Sequence, residues 1–389
     1  MEHMLRHRIV WTLVRPIIRL VVFIRFRFTS SARRIRGPLI VVCNHVTDWD
    51  PLLLGAAFRS QMYFLASEHI MRLGWVSSLL HWLCAPIPRQ KGGSAAGSVK
   101  TMLRVLKNGG NVAFFPEGNR TWDGVTREFP DSTGKFVRAS GATLVTYRLQ
   151  GGYLSSPRWA GKSLRRGRMQ GEIVGVYTPE ELREMTVTQV NAVIARDIHE
   201  DAFETAKAHP IPFRGKRLAE HLESLLFLCP KCGGAHGMES RDDRFGCRYC
   251  GFETRYDATG FFTGEDVPFS TVWEWNRWQQ ESLPSLCEQA GDAPIFRDSG
   301  MELYRVNTAQ SSELLARGEM LLYRDRLELP GDLSIPVQEI IGMGLMGATD
   351  LYLTTKKGSC FQLRTGKVRN TVKYLDACAC LGSPVGCGV

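Results

Sequence analysis

An α/β domain, a short segment without a core of its own and a mostly-β C-terminal region are predicted by three features of this 389-residue sequence. Between residues 38 and 150, continuous apolar runs alternate with helical stretches, the pattern of a largely parallel sheet flanked by helices. Residues 229–252, "CPKCGGAHGMESRDDRFGCRYCGF", hold almost nothing from which a core could form. From residue 300 on, short strand-like runs alternate with turn signals and end on one helical stretch. Two or three domains are expected at this length, with roughly 100 to 200 residues in each.

The elements follow in order. "PLIVVC" reads as a buried strand, "DPLLLGAAFRS" as a helix, "QMYFLAS" as a strand, "SAAGSVKTMLRVLKNG" as a helix and "NVAFFP" as a strand running into a polar loop. "GATLVTYRL" adds a further strand. "PEELREMTVTQVNAVIARDIHEDAFETAK" adds one or two helices, capped by Thr178 with Pro179 at the first helical position. A helix over "FRGKRLAEHLESLLF" leads into the coreless segment, and a tryptophan-rich helix, "STVWEWNRWQQESLPSLCEQA", follows it. The expected divisions are 1–30, 31–215, 216–262, 263–299 and 300–389.

Composition is that of an ordinary globular protein, 44% hydrophobic and 23% charged, which excludes wholesale disorder and a bundle of membrane spans. The net charge of +10 is concentrated at the start, where Arg6, Arg8, Arg15, Arg19, Arg25, Arg27, Arg33, Arg34 and Arg36 precede the first strand. That points to an anionic partner, a phospholipid surface or a nucleic acid. Residues 5–28 read neither as a signal peptide nor as a span, because arginines interrupt the apolar run throughout. On a helix Arg8, Arg15 and Arg19 share one face, and Trp11, Leu13, Ile17, Ile18, Leu20, Val21 and Ile24 cover much of the rest. Such a helix suits the interface of an anionic bilayer; a helix docked on the protein's own core fits the same pattern.

The chemistry starts at "VVCNHVTDWDPLLL", residues 41–54, where His45, Asp48 and Asp50 fill a polar gap between strand and helix. In an open α/β sheet, ligands bind beyond the carboxyl ends of the strands. His45 and the loop "FPEGNRTWDG" therefore belong on one rim. A histidine is suited to take a proton near neutral pH when a carboxylate fixes its tautomer, and Asp50 is placed to do so. Asp50 followed by Pro51 equally fits a helix start, with aspartate as cap.

At these residues the sequence resembles the glycerolipid acyltransferases typified by 1-acyl-glycerol-3-phosphate acyltransferase. The His-x4-Asp block is matched by His45 and Asp50, with Asn44 before and Pro51 after; the Phe-Pro-Glu-Gly-x-Arg block is matched by residues 115–120; an intervening arginine is met by Arg89 of "PIPRQKGG". The resemblance spans about residues 1–215 and implies an acyltransferase sheet flanked by helices. It implies that His45 removes the proton of an acceptor hydroxyl as that attacks the thioester of acyl-CoA or acyl-carrier protein, with Asp50 orienting the imidazole. Arg89 and Arg120 would hold the acceptor's phosphate through charge-assisted contacts, helped by Lys91 and the backbone of Gly118. Glu117 would bind a substrate hydroxyl or order the arginines. The implied product is phosphatidic acid, made on the cytoplasmic face of a membrane by a peripheral or monotopic enzyme. One departure bears on the acceptor. Where the family carries a fourth block rich in valine, isoleucine and proline, this chain reads "GATLVTYRLQGGYLSSPRW", in which Tyr147, Arg148, Tyr153 and Arg158 are candidates to meet a headgroup. Arg165, Arg166 and Arg168 read as a basic surface patch.

The second motif is Cys229-x2-Cys232 with Cys247-x2-Cys250. Thiolates at this double spacing converge on one Zn²⁺, each pair followed by a glycine, here Gly233 and Gly251. So short a segment needs a metal as its folding element. Four thiolates leave no open position, so the zinc is structural, and His236 is a bystander. Zinc ribbons also occur in nucleic-acid proteins, which gives a competing reading, a membrane or nucleic-acid adaptor whose acyltransferase-like domain is inert; against it, this ribbon mixes charges instead of presenting a basic aromatic surface, His45, Asp50, Glu117 and Arg120 are intact, and no nucleic-acid partner is expected. Cys43, Cys84, Cys287, Cys360, Cys378, Cys380 and Cys387 form no framework; most are expected as buried free thiols in a reducing compartment. The run "MLLYRDRLELPGDLSIPVQEIIGMG", then "DLYLTTKKGSCFQLRT" and the helical "VRNTVKYLDACACL", looks like a pleckstrin-homology or GRAM-type module.

Overall fold

A computed structural model describes residues 2–31, 35–67, 85–89, 96–161, 163–306, 312–346, 349–365 and 370–383. The chain forms two compact units, one of residues 1–156 with 164–214, the other of 157–163 with 215–389.

The first unit runs α1 (Glu2–Phe26), β1 (Thr29–Ser30), β2 (Leu39–Cys43), α2 (Asp50–Ala57), β3 (Tyr63–Ser67), β4 (Ile87–Arg89), α3 (Ala96–Lys107), β5 (Val112–Phe114), α4 (Ser132–Ala139), β6 (Thr143–Gln150), α5 (Gly152–Ser155), β7 (Gln170–Tyr177), α6 (Pro179–Glu184), α7 (Val187–Ile198) and α8 (Ala202–Ala208). Its sheet has the order β1-β7-β6-β2-β5-β3-β4. All pairings are parallel except β6 with β7. Alternation along β2 explains why its run is apolar without a break. Leu39, Val41 and Cys43 face a core with Val22 and Phe26 of α1 and Leu53 and Leu54 of α2. Ile40 and Val42 face the opposite core, with Leu106 of α3, Val137 of α4 and Ile194 of α7. A strand covered on both faces has no polar side to show.

Helix α1 has one docked face and one exposed face. One face docks: Trp11, Val22 and Phe26 are buried, and His7 meets the Tyr63 hydroxyl at 3.0 Å. Gly55 makes this approach possible, since a Cβ there would overlap the Trp11 ring. Arg15, expected at headgroup level, is turned inward and donates to the carbonyls of Phe58 and Ala56 at 2.8 and 2.9 Å, at the C-terminal end of α2. The opposite face is an unbroken stripe of Leu5, Ile9, Leu13, Ile17, Leu20 and Ile24, each more than half exposed. Among the described residues, no helix is long and apolar enough to cross a membrane.

The stretch from Pro179 to Ala208 forms three helices where one or two were expected. Thr178 with Glu181 and Thr186 with Gln189 close two capping boxes, and the Asp201 carboxylate accepts from the N–H groups of Phe203 and Glu204. Each cap starts a fresh helix.

In the second unit, β8 (Met238–Arg241), β9 (Arg244–Cys247), β10 (Glu253–Tyr256) and β11 (Phe262–Thr263) form an antiparallel meander. The helix expected to lead into it is absent. Arg217 and His221 adopt left-handed backbone conformations, which end any helix, and only a 3-10 turn at Leu222–Ser224 forms. The meander also has a core the sequence did not show. Trp275 of α9 (Val272–Gln289) is fully buried among Phe245, Phe252, Phe262 and Phe269. Its Nε1 donates to the Leu228 carbonyl at 3.0 Å, and Gln279 both donates to Leu225 and accepts from Phe227. Helix α9 therefore fixes the chain that delivers Cys229.

The C-terminal strands are β12 (Phe296–Val306), β13 (Ser312–Leu322), β14 (Arg326–Leu329), β15 (Leu333–Pro336), β16 (Ile340–Met346), β17 (Asp350–Thr355) and β18 (Cys360–Thr365). They form one antiparallel sheet in the order β15-β14-β13-β12-β18-β17-β16, so the first strand lies beside the last. Three residues, Val337–Glu339, join the two outer strands β15 and β16. Strand β12 begins at Phe296, ahead of the expected residue 300, because the turn-like Asp298-Ser299-Gly300 is absorbed as a register shift inside the strand. Helix α10 (Val372–Cys380) packs on this sheet, with buried Lys373 2.7 Å and the Tyr374 hydroxyl 2.8 Å from Asp298. Of the unassigned cysteines, Cys43, Cys287 and Cys378 are buried, Cys360 is half-buried and Cys380 is exposed; Cys84 and Cys387 lie outside the described residues.

Candidate active site and metal centre

Strands β2 and β5 pair in parallel, with Val42 opposite Phe114, so both end on one rim. There His45 stacks on Phe115, ring centroids 4.3 Å apart and 17° from coplanar. Its Nδ1 lies 2.8 Å from Asp50 Oδ2. The same oxygen accepts the N–H groups of Val46 and Thr47 at 2.7 and 3.0 Å, and Oδ1 accepts the Thr47 hydroxyl at 2.7 Å. A carboxyl group surrounded by donors is an acceptor throughout, which assigns the proton to His45 Nδ1 and leaves the Nε2 lone pair for a substrate. Asp50 is fully buried, while the His45 side chain keeps 19% of its surface accessible. The helix-start reading is met only in outline: Asp50 is the first residue of α2, Trp49 takes the cap position, and the carboxylate serves the preceding loop.

The loop after β5 is tied to the His45 loop at three places. Glu117 Oε1 accepts the His45 N–H at 2.6 Å, Thr121 donates its N–H to the His45 carbonyl at 3.1 Å, and Arg120 Nε reaches Asp48 Oδ1 at 3.1 Å. Glu117 Oε2 takes the Arg127 N–H at 2.9 Å. Both oxygens of Glu117 are thus used by backbone and the residue is buried, so it positions the His45 loop and does not reach for a substrate hydroxyl or an arginine side chain. Gly118 is likewise occupied. Its φ of 73° makes the turn and its N–H donates to Phe115, so it offers no donor to a phosphate. Arg120 lies on the same rim, beside Asp48 of the His45 loop. Arg89 ends β4, its side chain lies outside the described residues, and Lys91 lies outside them altogether.

Burial pushes the Glu117 carboxyl up to about 8, against the pull of its two backbone N–H donors. A value above the ordinary 4.5 means that the folded protein holds this proton more tightly than the unfolded chain. The resulting stabilisation is full below pH 4.5 and is lost as pH rises through about 8. The melting temperature of wild type relative to Glu117→Gln should therefore fall between about pH 5 and about pH 9. A difference that stays constant over that window would remove the titration of Glu117 from the account.

Asn44 is the residue whose role the sequence left unread. Its side chain donates to the Leu149 carbonyl at 2.9 Å and accepts the Leu149 N–H at 2.8 Å, which extends β2 against β6 and fixes where His45 leaves the sheet. The polar residues of the 141–159 segment, expected to meet a headgroup, have partners within the protein. Tyr147 is buried with its hydroxyl 2.7 Å from Ser30, Tyr153 is buried and donates to the Trp122 carbonyl, Arg148 pairs with Glu172 at 2.6 Å, and buried Arg158 donates to the Leu345 carbonyl. Of the expected basic patch, Arg166 and Arg168 are exposed and Arg165 is buried.

In the second unit, Cys229, Cys232, Cys247 and Cys250 bring their Sγ atoms within 4.8 Å of one another. Cys229 and Cys250 are 3.6 Å apart, Cys232 and Cys247 3.8 Å. A tetrahedron with Zn–S bonds of about 2.3 Å has edges of about 3.8 Å, so the donor set fits Zn²⁺. Gly233 and Gly251, at φ of 70° and 71°, close the two knuckle turns by donating to the Cys229 and Cys247 carbonyls.

Residues 23–150 match the Acyltransferase family. Among curated proteins, this chain is similar to the 1-acyl-sn-glycerol-3-phosphate acyltransferase of Borreliella burgdorferi, 27% identical over 115 residues, 29% of this chain and 46% of that one. It is 31% identical over 88 residues to the enzyme of the same name from Bacillus subtilis, covering 22% and 43%. The chain therefore spans less than half the length of these two relatives. Among solved structures, the 1-acyl-sn-glycerophosphate acyltransferase of Thermotoga maritima aligns at 18% identity and a TM-score of 0.39, over 50% of this chain and 80% of that one.

Proposed function

We propose that this chain is an O-acyltransferase that moves a fatty acyl group from acyl-CoA or acyl-carrier protein to the hydroxyl of 1-acyl-glycerol-3-phosphate, giving phosphatidic acid. The observation that carries the reading is the Asp50 carboxylate, saturated with donors and holding His45 Nδ1 at 2.8 Å, on the rim that also bears Arg120. The family match over residues 23–150 and the names of the two relatives support it. Nε2 of His45 takes the hydroxyl proton as the oxygen attacks the thioester carbonyl carbon. The C–S bond breaks as the tetrahedral intermediate collapses, and the imidazolium returns its proton to the leaving thiolate. Asp50 stabilises the imidazolium without taking its proton. Arg120 offers its guanidinium to the acceptor's phosphate.

The membrane is the second part of the reading. The exposed stripe of α1 lies opposite its docked face, Arg8 and Arg19 are exposed beside it, and Phe26 at the end of α1 packs edge-on against Trp49 of the His45 loop. A bilayer covering the stripe would bring the acceptor lipid beside His45, on the cytoplasmic face. Structural Zn²⁺ in the four-cysteine site, and a pleckstrin-homology or GRAM-type role for the C-terminal sheet with α10, complete the reading.

A mass-spectrometric transfer assay on phosphatidylglycerol vesicles tests it, with both donors and a panel of acceptors: 1-acyl-glycerol-3-phosphate, glycerol 3-phosphate and lysophospholipids with bulkier headgroups. Phosphatidic acid is the expected product. Leu13→Glu with Ile17→Glu should reduce both sedimentation with the vesicles and transfer to the embedded acceptor. A different acylated lipid would move the acceptor assignment, and vesicle binding that ignores the double substitution would remove α1 as the contact.

A further inference from the structure

Two carboxylates bracket the catalytic loop and differ in one respect. Asp50 is fully buried and fixed by four donors, whereas Asp48 is 80% exposed and reaches Arg120 from the solvent side. Arg120 itself keeps only 13% of its side-chain surface. Of the three ties between the His45 loop and the 115–121 loop, those through Glu117 and Thr121 rest on buried residues, so the loops stay joined without the third. An ion pair with one partner this exposed adds little to stability. Its significance lies in where it sits, on the arginine placed to receive an anion.

We infer that Asp48 is a resident counter-ion on Arg120, a stand-in that a phosphomonoester dianion displaces when the acceptor binds. This rests on the acyltransferase reading and adds to it a residue that sets how strongly the site discriminates for phosphate. With Asp48 in place, the guanidinium is neutralised and its geometry is held between turnovers. A singly charged or neutral acceptor gains little by competing with a carboxylate already seated there. A dianion, with more charge and a third acceptor oxygen, outcompetes it and sends Asp48 into solvent, where it already largely lies. Asp48 thus raises the KM for every acceptor that uses Arg120, least for those with the most anionic headgroup.

The test compares wild type with Asp48→Asn and Asp48→Glu. Steady-state transfer to 1-acyl-glycerol-3-phosphate gives KM and kcat; inhibition by inorganic phosphate, and calorimetric binding of inorganic phosphate without donor or acceptor, report the arginine directly. Removing one unit charge beside Arg120 should lower KM and the phosphate dissociation constant together by about five- to tenfold, less at high salt. Asp48→Glu, which restores the charge, should return both to near wild type. A KM and a phosphate constant that rise or stay level in Asp48→Asn would overturn the inference and make Asp48 a brace for Arg120. Calorimetry separates this from the parent reading. Tighter phosphate binding by Asp48→Asn with no transfer from any donor keeps the counter-ion and removes the reaction, while robust transfer with phosphate binding unchanged does the reverse.

Discussion

His45→Ala should lower acyl transfer by about 10²- to 10⁴-fold, the usual contribution of a positioned general base, without unfolding the protein. The side chain lies at the rim, partly accessible, and its removal costs mainly the stacking on Phe115. Asp50→Asn should lose transfer on a similar scale for a different reason. An amide oxygen in place of Oδ2 could still accept from His45 Nδ1–H and the N–H groups of Val46 and Thr47, with the NH2 group meeting the Thr47 hydroxyl, but the negative charge beside the imidazole is lost. Without that charge the imidazolium that forms during transfer is no longer stabilised and the tautomer is held less firmly, so proton removal by Nε2 slows. Because Asp50 is fully buried, its substitution should also lower the melting temperature, which His45→Ala should not. The pair of variants, each measured for turnover and for thermal unfolding, separates the base from the group that orients it. Turnover by His45→Ala within about tenfold of wild type would sink the general-base assignment.

These two residues were legible because their relation is local. Five positions apart, at the junction of an apolar strand and a helix, they meet in almost any α/β fold that has a strand ending at Cys43. Less legible were groups whose partners are distant in sequence. Nothing in "FPEGNR" shows that Glu117 will spend both oxygens on the N–H groups of His45, 72 positions away, and Arg127. Polar residues in a strand next to a site looked like headgroup ligands. They are instead the internal partners of β1, β7 and the Trp122 carbonyl, because a buried Tyr147 or Tyr153 must satisfy its hydroxyl somewhere. The missing helix before Cys229 has a similar cause. Its pattern was helical enough, but the chain there is committed to turns, with Ala219 donating to the Asp242 carbonyl and the His221 N–H to Ser240.

Removal of Zn²⁺ should have the largest structural effect, and it should be confined to the second unit. Purified protein should carry one zinc per chain, and a chelator or Cys247→Ser should melt the β8–β11 meander, because metal binding by such a site is folding energy, about 10–16 kcal/mol in small zinc domains. From the sequence alone that loss would be complete, since residues 229–252 hold almost no apolar side chains. The structure changes the expectation in a definite way. Trp275 supplies a core from outside the segment, packed on Phe245, Phe252 and Phe262, and its indole N–H holds the Leu228 carbonyl just before the first ligand. Tryptophan fluorescence and near-ultraviolet circular dichroism therefore report the coupling between metal and aromatic cluster. If zinc organises the knuckles and the cluster depends on them, metal loss exposes Trp275 and lowers the melting temperature of the unit. If the aromatic cluster folds the meander unaided, the near-ultraviolet signal and melting temperature survive chelation. Trp275→Ala should then be the more damaging change, at about 3–5 kcal/mol for loss of a buried aromatic. Substituting both Cys247 and Trp275 decides between independent and cooperative supports, because a combined loss smaller than the sum of the two would show that each holds the other in place.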